Sequence, residues 1–459
     1  MKVSSYQSSV RPSKLIAVLL LVIFMAVSSV GCALSVESPP GEEREIEPIP
    51  EGGQTQTHQS DPQSQGKPSG QAMDEPDIDF PDSYADAQSE NPEEGEDYEV
   101  ESTESTLAST GLDGYTDEEI NSAAAVNVGR FAYERLDKNG KRVYNEIYLT
   151  IRDMRGEYEL DCDNVDDINR TFLCVMMDHP EIFWVSGYVY TRYTRGDVLE
   201  AMGFKGAYTL DAQTVASRQA SIDAYVDTCL AGVPQADDYT KIKYIYEYII
   251  RNTDYDPSAV DNQNICSVFI NGRSVCQGYA KATQLLLNKM GIPCTLVTGT
   301  AIGQGNHAWN LVFADGSYYY LDTTWGDANY RYTEGMSGTF PSISYDYLCV
   351  PGSEIFKTHT PDTPVDLPQC ISMNDNYYVR EGAYFTAVDE GRLNSLFASA
   401  REQGRDFVTV KASDGYVYAD LKRYLLEEQR VFSFVGAGEG TSSISYWEND
   451  NLYTISFNL

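Results

Sequence analysis

The sequence predicts an α+β fold, because helical and strand patterns alternate through its central part. Four isoleucines recur at helical spacing within 239–252 and would form the core-facing stripe of a helix. A second apolar-periodic helix is predicted over 276–290 and is followed within three residues by a Gly and a Pro that stop it. Strands are predicted over 307–313 and 318–322, on either side of Asp315-Gly316, a two-residue turn typical of an antiparallel hairpin.

Residues 1–32 are predicted to be a lipoprotein-type signal peptide. Three basic residues precede an apolar run over 15–27, which ends in small residues and Cys32. A cysteine directly after Val-Gly resembles the lipobox of bacterial lipoproteins, although that motif usually has an aliphatic residue where Ser29 stands. The alternative is a single uncleaved N-terminal membrane anchor, for which the apolar run is short. Both interpretations predict an exported chain held on the outer face of a membrane, through a lipid on Cys32 in the first case.

The stretch 33–112 is predicted to be a disordered acidic linker. Within 33–110, 21 Asp and Glu face two basic residues, and aromatic and aliphatic residues are few. Such a segment buries too little apolar surface to offset the entropy of ordering, and its like charges extend it. The formal net charge of the whole chain is -36, with no basic surface in view, so nucleic acid is excluded as a partner.

Two further folded parts are predicted to flank a central domain over 236–362. The N-terminal accessory domain, 113–235, shows helical spacing over 116–154, a strand at 188–191 and a helix over 215–230. A small C-terminal α+β domain, 363–459, shows seven further segments of alternating type. Its strands are predicted at 377–387, 407–411, 431–434, 443–447 and 452–457, and its helices at 392–401 and 418–427.

Nine cysteines are present, and their spacing contains no CxxC pair or zinc-type cluster. If Cys32 carries lipid and Cys276 is catalytic, seven remain, and the sequence does not assign disulfides among them. Most are equally well explained as small buried hydrophobic residues. No metal and no cofactor is predicted.

Cys276 is the first candidate nucleophile. It opens the predicted helix 276–290, where free backbone N–H groups and the positive end of the helix dipole favour a thiolate. The same amides could hold a developing oxyanion. The competing interpretation is a buried cysteine at a helix start, and from this residue alone the two are equally plausible.

The hairpin supplies a base and its partner from local geometry. Closing the turn at Asp315-Gly316 places His307 opposite Thr324 and Asp322 opposite Trp309. His307 and Asp322 then project from one face as diagonal neighbours. Their Cα atoms would be about 7–8 Å apart, a spacing at which the carboxylate can reach the imidazole and form a hydrogen bond. Each residue alone could be structural, a strand-edge histidine or a strand-end cap. Together with Cys276 they match the logic of nucleophile, base and orienting group.

Four blocks of this region, in order, resemble the transglutaminase-like superfamily. They are Ser274-Val275-Cys276-Gln277-Gly278-Tyr279-Ala280, Met290-Gly291-Ile292-Pro293-Cys294, Asn306-His307-Ala308-Trp309-Asn310 and Leu321-Asp322-Thr323-Thr324-Trp325. The order Cys, His, Asp and the separations of 31 and 15 residues also match that family. The flanking parts resemble, more weakly, those of bacterial surface proteins that carry this domain.

The resemblance implies a papain-like core, with a helix bearing the cysteine packed on an antiparallel sheet. Cys276 would attack a carbonyl, His307 would move the proton and Asp322 would hold the imidazole. The thioester would then pass to water or to an amine.

Four other side chains are weaker candidates around this site. Trp309 and Trp325 are candidates for its walls, with core packing an equally good explanation. Gln277 and Tyr255 are candidates for a further oxyanion donor.

The sequence thus predicts an exported cysteine enzyme, a peptidase or acyl transferase, that cleaves or transfers amide bonds. Its partner would be a protein or peptide substrate, on the cell surface or associated with the wall. The alternative is a catalytically inactive surface binding or adhesion protein with the same fold. A metal site built from Cys276, His307 and Asp322 is a weaker alternative, because the set is mixed and no further ligand stands at suitable spacing.

Overall fold

The computed structural model describes residues 43–46, 98–106, 111–328, 341–435 and 443–459. All of them belong to one compact unit, Ser38–Leu459. The predicted signal peptide, with Cys32, lies outside the described residues. Within the described ranges, no helix combines the length and the apolar character needed to cross a membrane.

The N-terminal part combines helices with a four-stranded sheet. The order in the sheet is β2-β4-β5-β3, formed by Glu99–Ser105 (β2), Tyr158–Leu160 (β3), Val185–Arg195 (β4) and Val198–Tyr208 (β5). The helices are Asp117–Asn127 (α1), Lys138–Arg152 (α2), Val165–Asp178 (α3) and Ala212–Ala231 (α4). A capping box at Thr116 and Glu119 begins α1, and aspartates cap α2 and α4, so short polar side chains set these helix starts.

The predicted disordered linker, 33–112, contains two strands, which corrects that expectation for its described residues. Glu43–Ile46 (β1) pairs with a C-terminal strand, and β2 pairs in parallel with β4. A Cβ on Gly187 of β4 would lie 1.9 Å from the carbonyl oxygen of Glu99, so the missing side chain lets the two backbones meet. Strand β2 is charged and largely exposed at the sheet edge, and backbone pairing therefore holds it where the composition predicts disorder.

The central part places two helices beside a four-stranded antiparallel sheet of order β10-β9-β8-β11. The helices are Asp238–Asn252 (α5) and Cys276–Lys289 (α6), both within one residue of the predicted bounds. The strands are Cys294–Ala301 (β8), Gly305–Ala314 (β9), Ser317–Leu321 (β10) and His359–Pro361 (β11). Two short parallel strands, Asp254–Tyr255 (β6) and Arg273–Ser274 (β7), lie before α6, and the helical turn Thr323–Gly326 (α7) follows β10.

The hairpin register predicted from the Asp-Gly turn is confirmed. Ala314 pairs with Ser317, and both turn residues have positive φ, 46° at Asp315 and 82° at Gly316. The ladder ends at the pair Asn310 and Leu321, and the chain then enters α7. The predicted pairs of His307 with Thr324 and of Asp322 with Trp309 are therefore absent from the ladder, and Asp322 caps α7 instead.

The C-terminal part forms a five-stranded sheet of order β1-β14-β15-β13-β12. Its own strands are Tyr384–Phe385 (β12), Phe407–Ala412 (β13), Ile444–Asn449 (β14) and Thr454–Asn458 (β15), and its helices include Glu390–Glu402 and Gly415–Lys422. Two predicted strands are wrong, because 377–387 contains the helical turn Tyr377–Arg380 before β12, and 431–434 is also helical. Asn376 caps the first of these turns through the backbone N–H of Tyr378, at 3.1 Å.

The hydrophobic cores show how these parts support the centre. One continuous core joins α2, α3 and β4 to α5 and α6, so the N-terminal helices pack directly on the helices of the central part. The C-terminal sheet has a separate core. A third cluster, including Trp309, Tyr320 and Trp325, lies at the central sheet. The predicted domain boundaries stay predictions, but this packing makes the sheet and α6 a rigid frame for side chains that lie between them.

Candidate active site

Cys276 is the first residue of α6, as predicted, and its side chain is half-buried. Ser274 holds the preceding loop in place: its hydroxyl lies 2.6 Å from that of Ser267 and donates to the carbonyl of Asn262 at 3.0 Å. A Cβ on Gly278 would come within 2.0 Å of the Ser274 hydroxyl oxygen, so only glycine lets this loop pack on the first turn of α6. These contacts fix where the helix begins and hence where the thiol stands.

His307 reaches Cys276 from strand β9. The amide of Asn310, on the same strand, donates to the carbonyl of Ala280 at 2.9 Å and ties β9 to α6. The imidazole of His307 is buried, and the side chain of Cys276 is one of the groups that raise its pKa. Its Nε2 lies 2.7 Å from Asp322, which leaves Nδ1 as the ring nitrogen for the thiol.

Asp322 is fully buried, and four donors surround its carboxylate. Oδ1 caps α7 by accepting the backbone N–H groups of Thr324 and Trp325, at 2.8 and 3.0 Å. Oδ2 accepts Nε2–H of His307 at 2.7 Å and faces Nε2 of His359 at 3.1 Å. A carboxylate can accept about four hydrogen bonds, so this one is saturated. The structure thus joins His307, Asp322 and His359 in one hydrogen-bonded group, and the place of Cys276 in the same site stays a prediction.

His359 is the side chain that the sequence interpretation missed, although it lies within the predicted central domain, 236–362. It lies on the edge strand β11 and its side chain is buried. The rings of Trp309, Trp325 and Tyr347 surround it, with centroids 4.7–5.5 Å away. The available signal was weak: the chain has only four histidines, but a three-residue strand carries no periodicity.

The surroundings shift the pKa values of the two imidazoles in opposite directions. Burial lowers the pKa of His307, but the charge and hydrogen bond of Asp322 and the hydrogen bond of Cys276 together raise it to about 10. Burial also lowers the pKa of His359, and there the hydrogen bond to Asp322 does not reverse the shift. Burial alone would raise the pKa of Asp322, yet His307 and His359 hold it well below its usual range. The site therefore favours a charged His307 and a neutral His359 on one carboxylate.

The two tryptophans predicted as wall candidates lie beside His307. The ring of Trp309 is nearly parallel to the imidazole, with centroids 6.1 Å apart, and the ring of Trp325 is 5.9 Å away. Both are buried, and the indole N–H of Trp325 donates to Gln304 at 2.9 Å. They shield the imidazole from water, whereas a contact with substrate stays a prediction.

The two oxyanion candidates occupy different positions. Gln277 is buried in the first turn of α6, next to Cys276. Tyr255 is half-buried on β6, with its ring centroid 6.4 Å from that of Tyr279. Their part in the site stays a prediction.

Three side chains of this site are also close enough to surround a metal ion. Nε2 of His307, Oδ2 of Asp322 and Nε2 of His359 lie within 4.8 Å of one another, so the candidate set contains His359 and not Cys276. Every one of these atoms already has a hydrogen-bond partner within the group. The arrangement is thus complete as a hydrogen-bonded network.

The His307–Asp322 pair makes stability depend on pH. The pKa of His307 is about 10 in the folded chain, against an ordinary value of 6.5, so folding strengthens proton binding. The resulting stabilisation is fully present below the unfolded pKa and is lost as pH rises through the folded one. We expect the difference in unfolding free energy between wild type and His307→Gln to shrink between pH 6.5 and 10, measured by urea denaturation. A difference that is constant or grows over this interval would contradict the charged pair.

Residues 228–323 match the Transglutaminase-like superfamily. Kyphoscoliosis peptidase of Mus musculus is 25% identical over 168 residues, which cover 32% of this chain and 25% of that protein. The Homo sapiens Kyphoscoliosis peptidase is 25% identical over 138 residues, which cover 27% of this chain and 19% of that protein. The match thus spans a quarter or less of these relatives.

The match to a solved structure of a TGase covers 35% of this chain and 54% of the TGase chain, with 12% sequence identity and a TM-score of 0.23. The family match contains Cys276, His307 and Asp322, and the α+β fold predicted from the sequence is confirmed. The comparisons thus identify a transglutaminase-like domain in the central part of the chain, over residues 228–323.

Proposed function

We propose that this chain is a cysteine enzyme that cleaves or transfers amide bonds through Cys276, His307 and Asp322. The observation that carries the proposal is the 2.7 Å hydrogen bond between the buried imidazole of His307 and the buried carboxylate of Asp322, with the half-buried thiol of Cys276 acting on the same imidazole. The thiol alone is accessible, so a substrate would meet the nucleophile first and leave the other two groups shielded. Shielding strengthens the electrostatic coupling within the pair.

The chemistry follows from these positions. The thiolate of Cys276 attacks the carbonyl carbon of an amide, and the developing oxyanion faces the free N–H groups at the start of α6. His307 donates its proton to the departing amine nitrogen, the C–N bond breaks and a thioester remains on the sulfur. Water or a second amine then attacks the thioester, and His307 takes a proton from that nucleophile as the thiolate leaves. Asp322 keeps the imidazole oriented throughout and stabilises its charged form.

The resemblance to the superfamily supports both hydrolysis and acyl transfer, and a Kyphoscoliosis peptidase is among the relatives. Which acceptor reaches the thioester decides between them. A fluorescent casein and a fluorescent primary amine, offered in parallel, separate the two outcomes: shortened casein for hydrolysis, labelled casein for transfer.

We expect Cys276→Ala to abolish either activity, by a factor on the order of 10⁵–10⁶ for loss of a nucleophile. The matched control is Cys162→Ala, because Cys162 is the other half-buried cysteine of the described residues and its thiol donates to the backbone carbonyl of Asn164, at 3.3 Å. Iodoacetamide should also label Cys276 at pH 6, where ordinary thiols with a pKa of ~8.5 react slowly. Turnover by the Cys276→Ala protein, or labelling that follows an ordinary thiol, would contradict the proposal. An inert but well-folded wild type would instead favour a surface binding module.

We further propose that the enzyme acts outside the cytoplasm on surface or wall-associated protein, anchored through a lipid on Cys32. The support is the order of charged, apolar and small residues before Cys32. Cys32→Ala should move the chain from the membrane fraction to the soluble fraction, measured by immunoblot of fractionated cells. Mass spectrometry of the wild-type N-terminus should find a lipidated Cys32, whereas an intact Met1 on cytosolic protein would contradict the proposal.

A further inference from the structure

We propose that His359 is a positioning residue that holds the Asp322 carboxylate in place for His307. Its catalytic consequence depends on the function proposed above, but its contacts do not. Asp322 Oδ2 accepts hydrogen bonds from two imidazoles, at 2.7 Å from His307 and at 3.1 Å from His359. The second donor enters from a different strand, β11, on the far side of β8 from His307.

The sheet register places both imidazoles on one face. On β8, Gly299 pairs with His307 of β9, and Ala301 pairs with His359 of β11. Gly299 and Ala301 are two residues apart, so their partners project from the same side of the sheet. The ring centroids of His307 and His359 are 5.2 Å apart.

Gly299 makes this approach possible. A Cβ at this position would lie 2.1 Å from the carbonyl oxygen of Thr360 and 2.8 Å from the Cα of Pro361. Both atoms belong to the backbone of β11 and cannot move without displacing the strand. The absence of a side chain at Gly299 therefore lets the edge strand dock where His359 reaches Asp322.

A hydrogen-bond chain fixes the tautomer of His359. A carboxylate only accepts, so Nε2 of His359 must carry a proton to make the 3.1 Å contact with Asp322. In a neutral ring Nδ1 then accepts, and the hydroxyl of Thr358, 2.8 Å away, is the group that can donate to it, in place of its longer 3.3 Å contact with the carbonyl of Ile355. The hydroxyl of Tyr347 lies 3.4 Å from that of Thr358 and can donate in turn. The edge strand thus supplies a neutral imidazole with one defined donor.

The electrostatic surroundings agree with a neutral donor. The ionisable groups that face His359 are Asp322 and His307, with the phenol of Tyr347 beside its ring. Tyr246 is a further phenol near Asp322, and its hydroxyl donates to the carbonyl of Ser344 at 2.9 Å. Burial lowers the pKa of His359, whereas the pKa of His307 is raised to about 10, so the positive charge resides on His307.

Two consequences follow for His307. The hydrogen bond from His359 keeps Oδ2 aimed between the two rings, which limits rotation of the carboxylate. The same bond withdraws part of the negative charge from the side of Asp322 that faces His307. Without His359, Asp322 would bind the His307 proton more tightly, and the imidazolium would be a weaker acid toward a departing amine.

Two substitutions separate this role from packing. His359→Phe keeps an aromatic ring among Trp309, Trp325 and Tyr347 but removes the N–H. His359→Gln places an amide N–H near the former Nε2 and keeps the donor. Both are made in the full chain, and their thermal unfolding midpoints are compared with wild type.

The readout that packing alone does not move is the charge on His307. Iodoacetate is an anion attracted by the imidazolium, whereas iodoacetamide is neutral, so the ratio of their alkylation rates at Cys276 falls where His307 loses its proton. For wild type we expect this fall near pH 10, the value that Asp322 gives His307. In His359→Phe, the pH at which the ratio of the two alkylation rates falls should be higher than in wild type. In His359→Gln, it should return to the wild-type value. Turnover should drop about tenfold to a hundredfold in the Phe variant, in kcat and not in KM, as for loss of a supporting hydrogen bond, and recover with Gln.

The outcomes are distinct. The role of His359 would be overturned if the rate ratio of a folded His359→Phe protein falls at the wild-type pH, or if both variants shift this pH equally. Neither result would contradict Cys276 as the nucleophile. If the Phe variant does not fold, a displaced fall in His359→Gln is the result that overturns the proposal. A wild-type ratio that shows no imidazolium-dependent fall would overturn the proposed function itself, because Cys276 would then lack a charged partner.

Discussion

The buried carboxylate of Asp322 is the constraint on which the site depends. A carboxylate removed from water costs several kcal/mol unless charges and hydrogen bonds replace its hydration. Here two backbone N–H groups at the start of α7 and two imidazole N–H groups supply that replacement. Removing any of these donors leaves a buried charge incompletely satisfied, so the carboxylate fixes the positions of β9, β11 and α7 together. The catalytic geometry and the local stability thus have one origin.

The remaining architecture serves to bring the thiol to this carboxylate. Helix α6 is held on the sheet by Asn310, and its start is set by Ser274 and Gly278. The N-terminal helices extend the hydrophobic core behind α6, and the C-terminal sheet keeps a core of its own. An ion pair of 2.8 Å between Lys411 and Glu354 links the C-terminal sheet to the segment before β11. Both flanking parts are therefore placed to stiffen the frame of the site.

The sequence predicted the parts of this site that local rules determine. The Asp315-Gly316 turn sets the register of the hairpin, from which His307 and Asp322 are predicted to share one face, and the structure joins them by a hydrogen bond of 2.7 Å. The position of Cys276 opposite them depended on the resemblance to a family, because nothing local relates α6 to β9. His359 was missed because a three-residue edge strand is defined by the backbone it pairs with, not by its own residues.

The other errors have related causes. Strand β2 lies in a charged segment whose composition predicts disorder, yet the space left by Gly187 admits its backbone. The segments 377–387 and 431–434 were assigned as strands, but runs this short do not distinguish a strand from a helical turn. In each case tertiary contacts overrode a weak local preference.

The most direct test of the account is the protonation state of His307 with and without the carboxylate. The chain has four histidines, so ¹⁵N-histidine labelling gives a spectrum that single substitutions can assign. Asp322→Asn is the informative variant, because Asn still caps α7 but offers an amide N–H where His307 needs an acceptor. We predict that both ring nitrogens of His307 carry protons at pH 8 in wild type, and that the ring is neutral at this pH in Asp322→Asn. A neutral His307 in wild type, or a charged one in the variant, would contradict the claim that Asp322 organises the site.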